Sequence, residues 1–250
     1  MQSTVCKNCS NLNIGNYCPE CGQKARTAKI DIRYLQEEAK YTFFHINSGF
    51  FYTLKQLLTR PGHMIREYIE GHRVKHYKPL LLLFVLAGVY GFLLHYIDIP
   101  AIMKAAIPEN KNQLDLAPMF RWMTSNYSLV EIMLLPLVSF CSWLAFRKWG
   151  YNFIEHIILN AYAAGLRLTI SILFFPLMLT TTNMMLYSML GGVLSMITYL
   201  ATGWTYVQFF SNRPLGETII RVLAMIFLIF LISAIGGFIG ITIYILYFHK

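Results

Sequence analysis

Four of the five cysteines fall in one short stretch as two C-x2-C pairs, Cys6-Lys7-Asn8-Cys9 and Cys18-Pro19-Glu20-Cys21. A C-x2-C turn aims two thiolates at one point, and two such turns close together supply the four ligands of a tetrahedral Zn2+ site. With Cys6, Cys9, Cys18 and Cys21 filling every position, the site is closed, so the expected Zn2+ is structural rather than catalytic. Gly22 follows the second pair and suits a positive φ, while Asn13, Gly15 and Asn16 between the pairs are turn formers. So short a stretch cannot build a sufficient core alone, and metal binding would supply its folding energy. A single C-x2-C can instead be a redox dithiol, a reading that two in tandem disfavour. Thiolates held for zinc need a reducing compartment, which places this end in the cytoplasm. Cys141 lies in an apolar run and reads as a small buried hydrophobe.

The second chemistry-bearing pattern is polar. His156, Asn160, Arg167 and Ser171 lie within an otherwise apolar run, and at 100° per residue they share an arc of about 60° on a helix. A charge at the centre of a membrane span costs at least about 2.5 kcal/mol, so such a residue faces protein or water. Arg167 is expected to pair with Glu131, the only acid in the preceding span; the alternative is a charge lining a wet cavity. Glu155 lies off this stripe, and Glu155 beside His156 reads as an interfacial span end more readily than as an acid–base pair. Ser188, Gly192, Ser195, Tyr199, Thr202 and Tyr206, and Gly236 with Gly240, have the spacing of helix-packing faces. No Gly-x-Ser-x-Gly, His-Glu-x2-His or phosphate loop occurs. His72 and His76 are four apart but have no evident third ligand.

These residues need elements to hold them. The chain is 56% hydrophobic and 13% charged, against roughly 25% charged in soluble domains. An all-α membrane protein of about five spans follows, near 80–97, 129–146, 153–179, 184–210 and 219–248, since about 20 apolar residues cross a bilayer core. Three segments are expected: a zinc ribbon over 1–28, cytoplasmic amphipathic and basic helices at the membrane interface over 29–79, and the membrane domain over 80–250. The opening residues have no apolar signal-peptide core, so the internal spans direct insertion.

Within the middle segment Phe50, Phe51, Leu54, Leu57 and Leu58 recur at helical spacing, as do Met64, Ile65, Tyr68 and Ile69 behind Pro61. Apolar stripes with basic flanks read as helices lying in the interface, with Arg60, Arg66, Arg73, Lys75 and Lys78 attracting anionic lipid. Ordinary juxtamembrane charge is the plainer alternative. Nucleic acid is the least favoured partner, because phosphate contacts leave the apolar stripes unexplained. With the N-terminus inside, Arg60, Arg66, Arg73, Lys75, Lys78, Arg147, Lys148, Arg213 and Arg221 flank the inner side, against Lys104, Lys111, Arg121 and Lys250 outside. The positive-inside rule then gives a cytoplasmic N-terminus and an external C-terminus.

The ribbon ending in Cys21-Gly22-Gln23, the run Gly49-Phe50-Phe51-Tyr52-Thr53-Leu54-Lys55, then Arg60-Pro61-Gly62, Ile65-Arg66-Glu67-Tyr68-Ile69-Glu70-Gly71 with Arg73, Lys78-Pro79 and Glu155-His156 together resemble a bacterial multi-pass membrane family of unknown function with an N-terminal zinc ribbon. The resemblance implies a bacterial inner-membrane protein and no particular activity. The leading expectation is a non-catalytic scaffold or sensor whose ribbon and basic collar dock a cytoplasmic protein or anionic lipid. A small transporter or channel using the polar stripe, and a membrane enzyme acting on lipid-linked substrate through Glu155, His156 and Arg167, are the alternatives. Oligomerisation stays open.

Overall fold

The computed structural model describes residues 4–13, 15–25, 27, 29–40, 49–97, 117–180 and 184–248. Lys104, Lys111 and Lys250, three of the four outer cations of the topology count, lie outside them. The ribbon opens with a two-stranded antiparallel hairpin, β1 (Thr4–Val5) and β2 (Leu12–Asn13), pairing Val5 with Leu12. Helices follow: α1 (Ile32–Lys40), α2 (Gly49–Thr59), α3 (Pro61–Glu70), α4 (Pro79–Leu94), α5 (Ala117–Ser125) and α6 (Tyr127–Phe146). A 3-10 turn, Arg147–Trp149, leads to α7 (Phe153–Leu179), α8 (Met184–Phe209) and α9 (Leu215–Phe248).

Local chemistry fixes the boundaries. Pro61 and Pro79 open α3 and α4, where a missing N–H costs nothing. Gly71 ends α3 at φ +123° and Gly150 closes the 3-10 turn at φ +92°, conformations open to glycine. At α7, Asn152 and Glu155 form a reciprocal cap: each side chain accepts from the other's backbone N–H at 2.8 Å. Pro176 does not end α7, which runs three residues past it.

Four helices are long and apolar enough to cross a membrane, within Tyr127–Trp149, Phe153–Leu179, Met185–Phe209 and Leu215–Gly237; Pro79–Leu94 is apolar but shorter. The chain thus has the helices of a multi-pass membrane protein. α7 is the hub, with every residue from Glu155 to Leu166 buried. α4, α6 and α8 pack around it, and α9 packs on α6. The N-terminal part of α8 stands apart: no described residue from Met185 to Leu200 is buried. The small-residue face expected to pack another helix is therefore left uncovered by the described residues. Ser188, Gly192, Ser195 and Tyr199 are exposed, Gly236 borders open space among the described residues, and of this face Tyr206, near the C-terminal end of α8, is buried.

The apolar stripe of α3, expected at the bilayer interface, is covered by protein: Met64 and Ile65 are 0% exposed and Tyr68 2%, because α3 packs on α7 and α8. A Cβ on Gly62 would lie 2.2 Å from the Phe209 nitrogen and 2.3 Å from the Thr205 oxygen. The two backbones therefore approach where only glycine fits. α2 is tied to the chain after α3: Thr53 Oγ1 accepts from Tyr77 N–H and donates to the Gly49 carbonyl, both at 2.7 Å. Tyr162 on the hub donates to the Tyr77 carbonyl at 2.7 Å.

Candidate metal centre and polar clusters

The two C-x2-C turns are near copies. Cys6 N–H donates to the Asn11 carbonyl and Ser10 N–H to the Cys6 carbonyl; Cys18 N–H donates to Gln23 and Gly22 N–H to Cys18 in the same pattern. Ser10 and Gly22 hold equivalent positions at φ +62° and +71°. The four Sγ atoms lie within 4.8 Å of one another, Cys6 to Cys21 at 3.6 Å and Cys9 to Cys18 at 3.4 Å. The backbone amide of Cys9, with that of Asn8, lowers the Cys6 thiol to about 7 against desolvation, as turns that present amides to a thiolate should. Four convergent sulfurs, with backbone amides aimed at Cys6 and Cys9, form a set able to hold a metal ion.

This centre is fastened to the helices. Gln23, buried behind the second turn, accepts from Arg73 N–H at 3.4 Å and donates to Thr27 Oγ1 at 2.9 Å. A Cβ on Gly71 would come within 2.9 Å of the Lys7 side chain, so the first turn rests on the end of α3. The Arg73 guanidinium lies 4.9 Å from the Tyr34 ring and 5.6 Å from that of Tyr68. Ile30, fully buried, gives its carbonyl to Asn152 Nδ2 at the start of α7, at 3.1 Å.

The five basic residues assigned to lipid have diverse partners. Arg60 forms a two-pronged pair with Glu67, at 2.8 and 3.2 Å. Arg66 reaches the end of α8, donating to the Phe209 carbonyl, to that of Gln208 at 3.1 Å and to Ser211 Oγ at 3.3 Å; a cation there satisfies terminal carbonyls and opposes the helix dipole. Arg73 is stacked on tyrosines. Lys75 is exposed and Lys78 half-buried. His76 is buried against the rings of Tyr52 and Tyr68, at 5.4 and 6.1 Å, and desolvation lowers its pKa to about 4.

The stripe on α7 divides into two clusters. Near the start of α7 His156 Nδ1 lies 2.8 Å from Ser142 Oγ on α6, Asn160 Nδ2 donates to Ser142 Oγ at 2.9 Å, and Tyr206 on α8 donates to Asn160 Oδ1 at 2.8 Å. His156 Nε2 is buried with no partner among the described residues. About three turns further on, Arg167 Nη2 donates to Glu131 Oε1 on α6 at 2.9 Å, and Tyr127 donates to Glu131 Oε2 at 3.4 Å. Ser171 is half-buried beyond them. The common azimuth hid an axial separation of roughly 16 Å between His156 and Arg167. Ser142 was missed altogether; a hydroxyl in an apolar span was its only signal. Glu155 is occupied as a helix cap, so Glu155, His156 and Arg167 do not converge.

No curated protein and no solved structure matches this chain. Residues 47–91, which hold α2, α3 with its glycine seat on α8, and most of α4, match the family described as "Protein of unknown function (DUF3667)", and over that segment the chain is similar to that family.

Proposed function

We propose that the chain is a non-catalytic scaffold of a bacterial inner membrane, with a cytoplasmic zinc ribbon that serves as a docking head for a protein partner. The carrying observation is a small domain fastened to the helices at Gly71, Arg73 and Asn152 that nevertheless presents apolar side chains. Val5, Leu12 and Tyr17 are 62, 62 and 60% exposed on it. Exposed apolar side chains of this kind are what partner proteins cover. Zinc suits the donors: arms of about 2.3 Å give tetrahedral S···S edges of roughly 3.8 Å, near the 3.4 and 3.6 Å found. The inner-side cations and the need of thiolates for a reducing compartment support the cytoplasmic orientation. The paired state of Arg167 and the capping role of Glu155 favour this reading over transport or lipid chemistry.

A photo-crosslinking residue at Leu12 in living cells should give one discrete protein adduct. The same residue at Glu20, exposed but polar, should give far less. Equal, diffuse labelling from both positions would refute the docking role.

A further inference from the structure

We infer that the inner ends of α6 and α9 form a binding site for the phosphate head group of an acidic membrane lipid, built on Trp149. Two guanidinium groups converge on this one ring, Arg221 Cζ at 4.8 Å from its centroid and Arg213 Cζ at 5.7 Å. Arg221 is held in place because Nη1 donates to the Ala145 carbonyl, at the end of α6, at 2.7 Å. Arg147 and Lys148, in the same 3-10 turn as Trp149, are exposed, as is Arg213. The ring is a firm floor, 9% exposed and packed against Phe146 at 5.2 Å and Phe210 at 4.8 Å.

No carboxylate among the described residues lies within ion-pair distance of Arg213 or Arg221. Among the described residues the ion pairs are Arg60–Glu67 and Arg167–Glu131, and neither touches it. The acid nearest in sequence, Glu217 in the first turn of α9, is exposed and within ion-pair distance of no described base. Two arginines drawn to one ring repel each other, and an anion between them turns that repulsion into attraction. Guanidinium stacked on an aromatic face keeps its fork of donors free for phosphate.

Depth selects a lipid rather than a soluble anion. α9 has 34 residues, about 51 Å of helix against a hydrocarbon core of about 30 Å. The excess leaves the core at the end that holds the helix's charges, Glu217 and Arg221, and Arg221 lies about 9 Å beyond the helix start. Tryptophan and arginine at that level are an interfacial pair. Arg60, Arg66 and Arg73 are engaged by protein and at most partly exposed, whereas Arg147, Lys148 and Arg213 of this cluster are exposed. The inference rests on the proposed orientation only for which leaflet supplies the lipid, and it needs no protein partner.

The test titrates the intact, detergent-purified protein with short-chain phosphatidylglycerol or phosphatidylcholine and counts bound lipid by native mass spectrometry. Phosphatidylglycerol should bind preferentially. At about fivefold per lost charge, R213Q should weaken it about fivefold and R213Q/R221Q about 30-fold, while K55Q/K75Q leaves it unchanged. R213Q alone keeps the test valid if loss of the Arg221–Ala145 contact prevents folding. Equal losses in K55Q/K75Q would mean diffuse surface charge and overturn the site. Equal binding of phosphatidylcholine, or no loss in R213Q, would overturn it too. Displacement by inorganic phosphate at matched concentration would identify a soluble anion as the ligand and refute the lipid.

Discussion

Replacing Gly62 with alanine tests whether α3 belongs to the bundle. In an exposed helix this substitution stabilises by about 0.5–1 kcal/mol, since alanine is the better helix former. Here the added methyl meets the Phe209 nitrogen at 2.2 Å, the Thr205 oxygen at 2.3 Å and Gln208 Cβ at 2.5 Å. Two of these are backbone atoms and cannot rotate away, so α3 must lift from α8 by about 1 Å to restore ordinary contact. Lifting weakens the bond from Gly62 N–H to Gln208 Oε1, 3.2 Å, and the grip of Arg66 on the Gln208 and Phe209 carbonyls. Overpacking of about 1–3 kcal/mol plus part of a charge-assisted bond of about 1.5–3 kcal/mol outweighs the propensity gain. A net loss of about 2–4 kcal/mol should lower the melting temperature by roughly 5–15 °C, by the scaling for chains of this length. Gly88→Ala is the control, because nothing lies within 4 Å of a Cβ there. Size-exclusion recovery of detergent-solubilised protein after a temperature series reads both. If Gly62→Ala melts no lower than Gly88→Ala, α3 is not seated on α8 and the interfacial reading of its stripe returns.

Metal analysis of purified protein should return about one zinc per chain, and Cys9→Ser with Cys18→Ser should abolish it and expose the Gly71–Arg73 region to protease; full zinc retention would refute the assignment. Glu131→Gln and Arg167→Gln should each lower folded yield, at a cost of about 1–3 kcal/mol for a partly covered pair, and Glu131→Arg with Arg167→Glu should recover part of it. A silent Glu131→Gln beside a severe Arg167→Gln would show that the pair is not what holds Arg167. For His76, burial lowers the folded pKa from 6.5 to about 4 against Glu67, with Arg60, His72 and Lys75 adding to the depression. The unfolded state therefore binds the proton first, and stability should fall as pH drops from about 6.5 to 4 and be flat above that window. His76→Gln should remove that part of the pH dependence; identical melting profiles at pH 5 and 7.5 for both proteins would refute it.

What was legible follows from which interactions are local. The cysteine spacing announced its site because a C-x2-C turn carries its geometry within a few residues, down to Gly22. Hydropathy located the long helices because bilayer thickness sets a length, and it misjudged only ends such as Leu215, where the helix begins outside the apolar run. Partner identity was not legible. Met64, Ile65 and Tyr68 have the same period whether lipid or α8 covers them, and only the Gly62 contact decides. Azimuth grouped His156 with Arg167, but the chain does not record that Ser142 waits beside one and Glu131 beside the other. Arg66 looked like lipid-facing charge because nothing local marks a side chain that caps a helix far along the sequence.

The seat of α3 also sets a schedule for synthesis. Gly62 meets Gln208, 146 residues later in the chain, so at about 5–20 residues per second the apolar face of α3 waits roughly 7–30 s for its cover. During that interval the ribbon, complete within its own few turns, has only part of its platform, because Asn152 also arrives late. An amphipathic helix in that position rests on the bilayer surface until α8 is inserted. Met64 and Ile65, buried in the finished fold, are therefore expected to be covered only as the last helices arrive. A ribosome stalled within α7 would leave that face uncovered, in reach of proteases and chaperones that the finished protein never meets.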